Sequence, residues 1–350
     1  LHADRLDNQG GQLAAQRALT FNGGQLINDN SGLLQSGDSL TLTADDISNL
    51  SGSIISSANA TLRSQQLQNG GGEIQSVGDL LIDSAHGIVD NVAGLIRSGA
   101  TLTLAAARLI NQNTSGDNLG LEAQTIGLTT DALDNQDGII LADRSLTVRN
   151  SGELNNRNGG LAASGTVDIG GDKLALFNLD GTVKAGEWLR IDADSLDGSG
   201  QLLSLGDMAL SSRQSLNNRG TMVANGRFTL TSTGDIVNGG KLLAGSSLDI
   251  TSRNLSNGVN GEINAGQNTL NVSDTLFNAG LIDGGYTRIN AGTLTNSGSG
   301  RIYGNAVGVN ALTFNNLAEN GTAATQVIQA DVNEEFQTIA DLFKDFFCNL

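Results

Sequence analysis

The residues best suited to chemistry are few. Asp168, Arg190 and Asp192 come nearest to a charged constellation, His2 and His86 are the two imidazoles, and Cys348 is the lone thiol. Two acidic turns, Asp45-Asp46 and Asp192-Ala193-Asp194, and three large aromatics, Trp188, Tyr286 and Tyr303, complete the set. Hydrolysis or elimination on a saccharide needs carboxylates and basic groups converging on one face. The Asp168–Arg190–Asp192 trio reads more simply as a solvated ion-pair group. Two distant histidines do not make a metal site, and the acidic turns lack the Gly-Gly-x-Gly-x-Asp repeat that loads calcium into a β-roll. There is no phosphate-binding loop, nucleophile elbow or zinc spacing. A single Cys excludes an internal disulfide, so stability has to come from packing and hydrogen bonds. Neither a cofactor nor a metal is expected.

The elements that would position these groups are set by a repeat. An apolar residue followed one or two places later by Asn recurs at Asn8, Asn28, Asn49, Asn69, Asn91, Asn111, Asn135, Asn156 and Asn178, then Gly198 takes the place of Asn, and the series resumes at Asn218, Asn238, Asn257, Asn278, Asn296 and Asn316. The interval runs from 18 (Asn278 to Asn296) to 24 (Asn111 to Asn135) and is mostly 20 or 21. A period this short is one coil of a solenoid. Each unit continues with a Gly-x-apolar segment, as in Gly52-Ser53-Ile54 and Gly220-Thr221-Met222, and then an apolar-x-apolar pair, as in Leu40/Leu42, Phe228/Leu230 and Leu270/Val272. Period-two alternation over such short runs, bounded by Gly, Asn, Asp and Ser, predicts half-buried strands and leaves no room for a helix in the coil. Coils stacked in parallel at about 4.8 Å would make a rod on the order of 75 Å from about sixteen coils. The recurrent Asn suits a corner, because it tolerates left-handed backbone and its stacked amides can hydrogen-bond along the axis.

Composition agrees with a thin aliphatic core. Of the 350 residues, 38% are hydrophobic but only 3% aromatic, with 47 Gly and no Pro. The formal charge of −17, from 19 Lys+Arg against 36 Asp+Glu, repels nucleic acid and anionic membranes, so neither is an expected partner. No apolar run approaches the roughly 18 to 20 residues of a membrane helix. The opening "LHADRLDNQG" has no initiator Met, basic region or apolar signal core, which is expected of an excised piece whose export signal lies elsewhere.

With the repeat aligned, the first outward column of the third strand reads Thr41, Thr61, Leu81, Thr103, Gly127, Thr147, Asp168, Arg190, Ala209, Thr229, Asp249, Asn271. The next reads Thr43, Arg63, Asp83, Ala105, Thr129, Arg149, Gly170, Asp192, Ser211, Thr231, Thr251, Ser273. No two acids adjoin in either column, which disfavours an enzyme, and the broken Thr column disfavours an ice-binding face. The one long interval carries "NQNTSGDNLG" from Asn111 to Gly120, without a charged constellation.

The phrases "LQNGGGEIQSVGDLLID", "LDNQDGIILADRSLTV", "IVNGGKLLAGSSLDIT" and "LTNSGSGRIYGNAVGV" resemble the repeat shafts of filamentous-haemagglutinin-like exoproteins. These are the large secreted partners of bacterial two-partner secretion systems, and they include contact-dependent growth inhibition proteins. The resemblance spans residues 1 to about 320. It implies a right-handed, single-stranded parallel β-helix, exported through an outer-membrane two-partner secretion pore. The implied place is outside the cell, as a shaft projecting an adhesive or toxin-delivery region toward a receptor on a neighbouring or host cell. The family's Asn-Pro-bearing secretion domain and a toxin tip are not recognisable in this sequence. A surface that binds glycan or protein directly, through Trp188, Tyr286 or Tyr303, is the alternative; a carbohydrate-active enzyme is the more distant one.

The expected organisation is therefore a repeat array over 1–324 and a different segment over 325–350. Phe336, Ile339, Phe343, Phe346 and Phe347 follow helical spacing on one face, with Asp331 or Asn333 as N-cap. The readings open for it are a helix folded over the last coil, a partner-binding helix, or a segment foreign to the shaft.

Overall fold

The computed structural model describes residues 1–317 and the backbone of Val327–Gln329. The helical face expected from Phe336 to Phe347 lies outside the described residues. Three strands make one coil: β1 (Arg5–Asp7), β2 (Gln12–Ala15) and β3 (Leu19–Asn22), followed in the next coil by β4 (Gln25–Ile27), β5 (Leu33–Ser36) and β6 (Leu40–Thr43). Each pairs in parallel with its counterpart, Leu6 beside Leu26, Leu13 beside Leu34, and Leu19 and Phe21 beside Leu40 and Leu42. The same rule continues along the chain, so the fold is an all-β parallel solenoid of about 16 turns, with no helix among the described residues.

The chain divides into two compact units, Leu1–Phe177 with Gly181–Val183, and Asn178–Asp180 with Lys184–Leu350. In the first, Leu34, Leu42, Ile54, Leu62, Ile74 and Ile82 are fully buried, and each enters through the alternation that turns its outward neighbours to solvent. In the second, Met222, Phe228, Leu230, Ile236, Leu248 and Ile250 do the same work, none more than 2% exposed. Each such side chain contributes roughly 1.5–3 kcal/mol by leaving water, and the stack supplies the partner surface on both sides.

Two features depart from the expected coil. Strands run on through corners, as in Leu80–Asp90, and in Glu262–Asn278 and Leu281–Ser297 one strand takes in the whole coil. The third-strand register also slips relative to the apolar pattern. Leu248 lies beside Asn268, Ile250 beside Leu270, and Ser252 beside Val272, so Leu270/Val272 is not the equivalent of Leu248/Ile250. The cause is a polar pair in the core: Asn268 and, one coil on, Thr287 fill the place that Leu and Phe fill below, both fully buried. Asn268 Nδ2 donates to Asp283 O and, at 3.4 Å, to Thr287 Oγ1. The outward columns are corrected accordingly. Asp249 is followed by Thr269 rather than Asn271, and Thr251 is followed by Asn271 rather than Ser273.

Candidate functional site

The Asn column is the most regular constellation in the molecule. In the first unit, each Nδ2 from Asn8 through Asn135 donates to Oδ1 of the next column residue, ending on Asn156, at 2.7–2.9 Å. In the second unit the series runs Asn218, Asn238, Asn257, Asn278, Asn296, Asn316 at 2.7–2.9 Å. Asn178 instead donates to Gln201 O at 3.2 Å, and Gly198 stands beside Asn218 without an amide to offer. From Asn28 to Asn296 no column Asn is more than 1% exposed.

Each amide also ties the corner together. Asn49 Nδ2 donates to Gly52 O at 3.1 Å in its own coil and to Glu73 O at 3.1 Å in the next. The left-handed residue of the corner is not the column Asn, as its tolerance for that conformation suggested, but the residue two places on. Asn30, Ser51, Gly71, Ala93, Asn113, Asp137, Asn158 and Asp180 all have positive φ. The column Asn is needed for its side chain, and the strain falls on a neighbour. In the second unit several corners are shorter, passing from Asn218 to a strand at Thr221 and from Asn238 to one at Lys241.

The charged candidates are engaged within their own units. Arg149 Nη2 meets Asp168 Oδ2 at 2.6 Å. Asp192 meets Arg190 at 3.6 Å and Arg213 at 3.0 Å. Such partly exposed pairs hold surface side chains in place and contribute little else. His86 is exposed, and His2 bridges Asn22 through its backbone. Among the described residues no three His, Cys, Asp or Glu side chains gather as metal ligands; Cys348 lies outside them. The long loop after Asn111 is stapled by Thr114, fully buried, whose Oγ1 donates to Asn111 O at 3.3 Å and accepts from Ile139 N at 3.0 Å. Trp188 and Tyr286 are 39% and 44% exposed, and Trp188 lies beside Asp207, Tyr286 beside Gln267 and Ala306. They form no stacked aromatic platform.

A groove of about 820 Å³ opens along the second unit, and the sequence alone did not reveal it. Its wall is a run of five outward residues on successive coils, Thr231, Thr251, Asn271, Asn290 and Asn310. Asn290 Nδ2 donates to Asn271 Oδ1 at 2.7 Å. Aligning the coils on their apolar pairs had separated Asn271 from Thr251, and only the Asn268 slip restores the run. Arg253 at the margin pairs with Asp235 at 2.9 Å, and the Asn254 amide together with this guanidinium holds the Asp235 carboxyl below the usual carboxylate range.

A family model described as the haemagglutinin repeat matches the chain four times, at residues 1–51, 39–91, 84–132 and 114–184. No curated protein and no solved structure matches it. No helix among the described residues is long and apolar enough to cross a membrane.

Proposed function

The chain belongs to the haemagglutinin-repeat family, and on that premise we propose that it is a segment of the extracellular shaft of a bacterial exoprotein. The family is one of structural adhesin repeats carried by secreted or cell-surface proteins. The observation that carries the reading is the buried amide series, remade in nearly every coil from Asn28 to Asn296. A side chain repeated for stacking alone is what a spacer requires, and the Asn column is structural on this account. The engagement of Asp168 and Asp192 by arginines supports the same reading over catalysis.

The finer proposal is a two-partner system. Strands that pair only with the neighbouring coils suit a chain that emerges through an outer-membrane pore and folds coil by coil, each finished coil templating the next. The shaft would then carry a toxin-delivery or adhesive region, in contact-dependent growth inhibition or adhesion, with the receptor engaged by regions outside this chain. Residues 1–324 form the array in this proposal and 325–350 a separate segment. The test is an epitope inserted at the exposed Val259 turn of the protein in its native host. Antibody should label intact cells or the medium, and should cease to do so when the pore gene is deleted. Labelling only after lysis, with the pore intact, would refute it.

A second reading, a surface that binds directly, is favoured by one specific observation, the groove above.

A further inference from the structure

We propose that the groove of the second unit binds a neutral, extended oligosaccharide, a β-1,4-linked chain of pyranose rings. This rests on the direct-binding reading and is independent of the shaft reading.

The run Thr231, Thr251, Asn271, Asn290, Asn310 places a hydroxyl or carboxamide at every coil, about 4.8 Å apart, over roughly 19 Å. Both group types donate and accept, as sugar hydroxyls do. Beside them the floor is made of small residues, Ser232, Ser252, Val272, Ala291 and Ala311, and the half-buried Ala291 and Ala311 leave room for the C–H faces of pyranose rings. The spacing matches a polymer whose rings repeat at nearly the coil rise, which a flat β-1,4-linked chain does and a coiled α-linked one does not.

Charge narrows the ligand. In a chain of net charge −17, the groove has no acidic wall, and its Arg253 is already paired with Asp235. Neither a cationic nor a polyanionic ligand finds a complementary field there. An extended peptide is disfavoured by the backbone. The strands Lys241–Ser252, Glu262–Asn278 and Leu281–Ser297 are paired on both sides, so over these coils no free ladder exists for β-addition, and among the described residues of the groove only the outer edge of Ala306–Leu317, at the groove's end, is open.

One buried group beneath the groove is left unsatisfied. Ser212, Ser232 and Ser252 hold the same place in successive coils. Ser212 Oγ donates to Ser215 O at 2.9 Å, and Ser232 Oγ accepts from Gly234 N at 3.2 Å. The corner after Ser252 is one residue shorter, passing from Ser252 through Arg253 to a strand at Asn254, whereas Ser232 passes through Thr233 and Gly234 to Asp235. The backbone donor is lost with that residue. Ser252, only 4% exposed and part of the groove lining, is left with an Oγ that has no hydrogen-bond partner.

The full chain should be titrated calorimetrically with cellohexaose and with chitohexaose, and with maltohexaose as the coiled control. Saturable millimolar binding of at least one β-linked hexasaccharide, unaffected by high salt and absent for maltohexaose, is expected. Asn271→Ala and Asn290→Ala should each weaken it about fivefold, the loss of one hydrogen bond, with urea midpoints unchanged. Thr41→Ala, in the other unit, should leave it intact. Absence of binding to both β-linked sugars, affinity abolished by salt, or affinity indifferent to Asn271→Ala would overturn the proposal. So would hydroxyl-radical footprinting that finds Leu312, 94% exposed at the groove's end, already protected before sugar is added.

Discussion

At the scale of single residues, two types of polar side chain have opposite consequences in this core. Asn49 is buried and fully used, its amide bonded to Asn69, Gly52 and Glu73 while its carbonyl accepts from Asn28. Asn49→Ala orphans groups on two neighbouring coils and should cost about 2–4 kcal/mol by urea denaturation, where the surface change Thr61→Ala costs less than about 1. Gly52→Ala should be at least as damaging, because an added Cβ would run into the Asn28 carbonyl. Asn268 is buried without full use, its Oδ1 lacking a partner. Asn268→Ala should therefore change stability by no more than about 1 kcal/mol, whereas Leu248→Ala in the adjoining coil should cost about 2–5. On the surface, Asp235 has its carboxyl held low, chiefly by Asn254 and then by Arg253. A depressed folded pKa contributes stability above the unfolded value and loses it as pH falls through the folded one. The pair is exposed, so Asp235→Asn should be less stable than the parent by no more than about 1 kcal/mol at neutral pH, and that difference should disappear as the pH falls through the acidic window.

At the scale of the element, strand alternation and the Asn spacing made the coil readable before any coordinates. Leu40/Leu42 and Phe228/Leu230 face inward as period two demands. The register of Leu270/Val272 was not readable, because apolar pattern was the only guide and Asn268 and Thr287 interrupt it at buried positions. The same slip hid the groove, whose wall exists only when Asn271 follows Thr251. The left-handed corner residue was also misplaced, since Asn has two uses, a permissive backbone and a bonding amide, and spacing cannot tell which one is employed. The corner register can be tested directly: Ser51→Gly, at a residue with φ of 54°, should be neutral or stabilising, whereas Asn49→Gly should destabilise as Asn49→Ala does, both read as urea midpoints.

At the scale of the whole molecule, the account rests on equivalence of coils. Each coil closes its hydrogen bonds with the coil on either side, so a complete repeat can be removed if the remaining faces match. Asn218 pairs with Asn238, and Leu216 with Ile236, in the same register that either makes with its other neighbour. The most direct measurement compares the full chain with two deletions, residues 219–238, one whole coil, and residues 219–228, half of one. Far-UV circular dichroism and the urea transition should be retained by the first and lost by the second. If the whole-coil deletion unfolds as fully as the half-coil deletion, the coils are not interchangeable units and the shaft account fails.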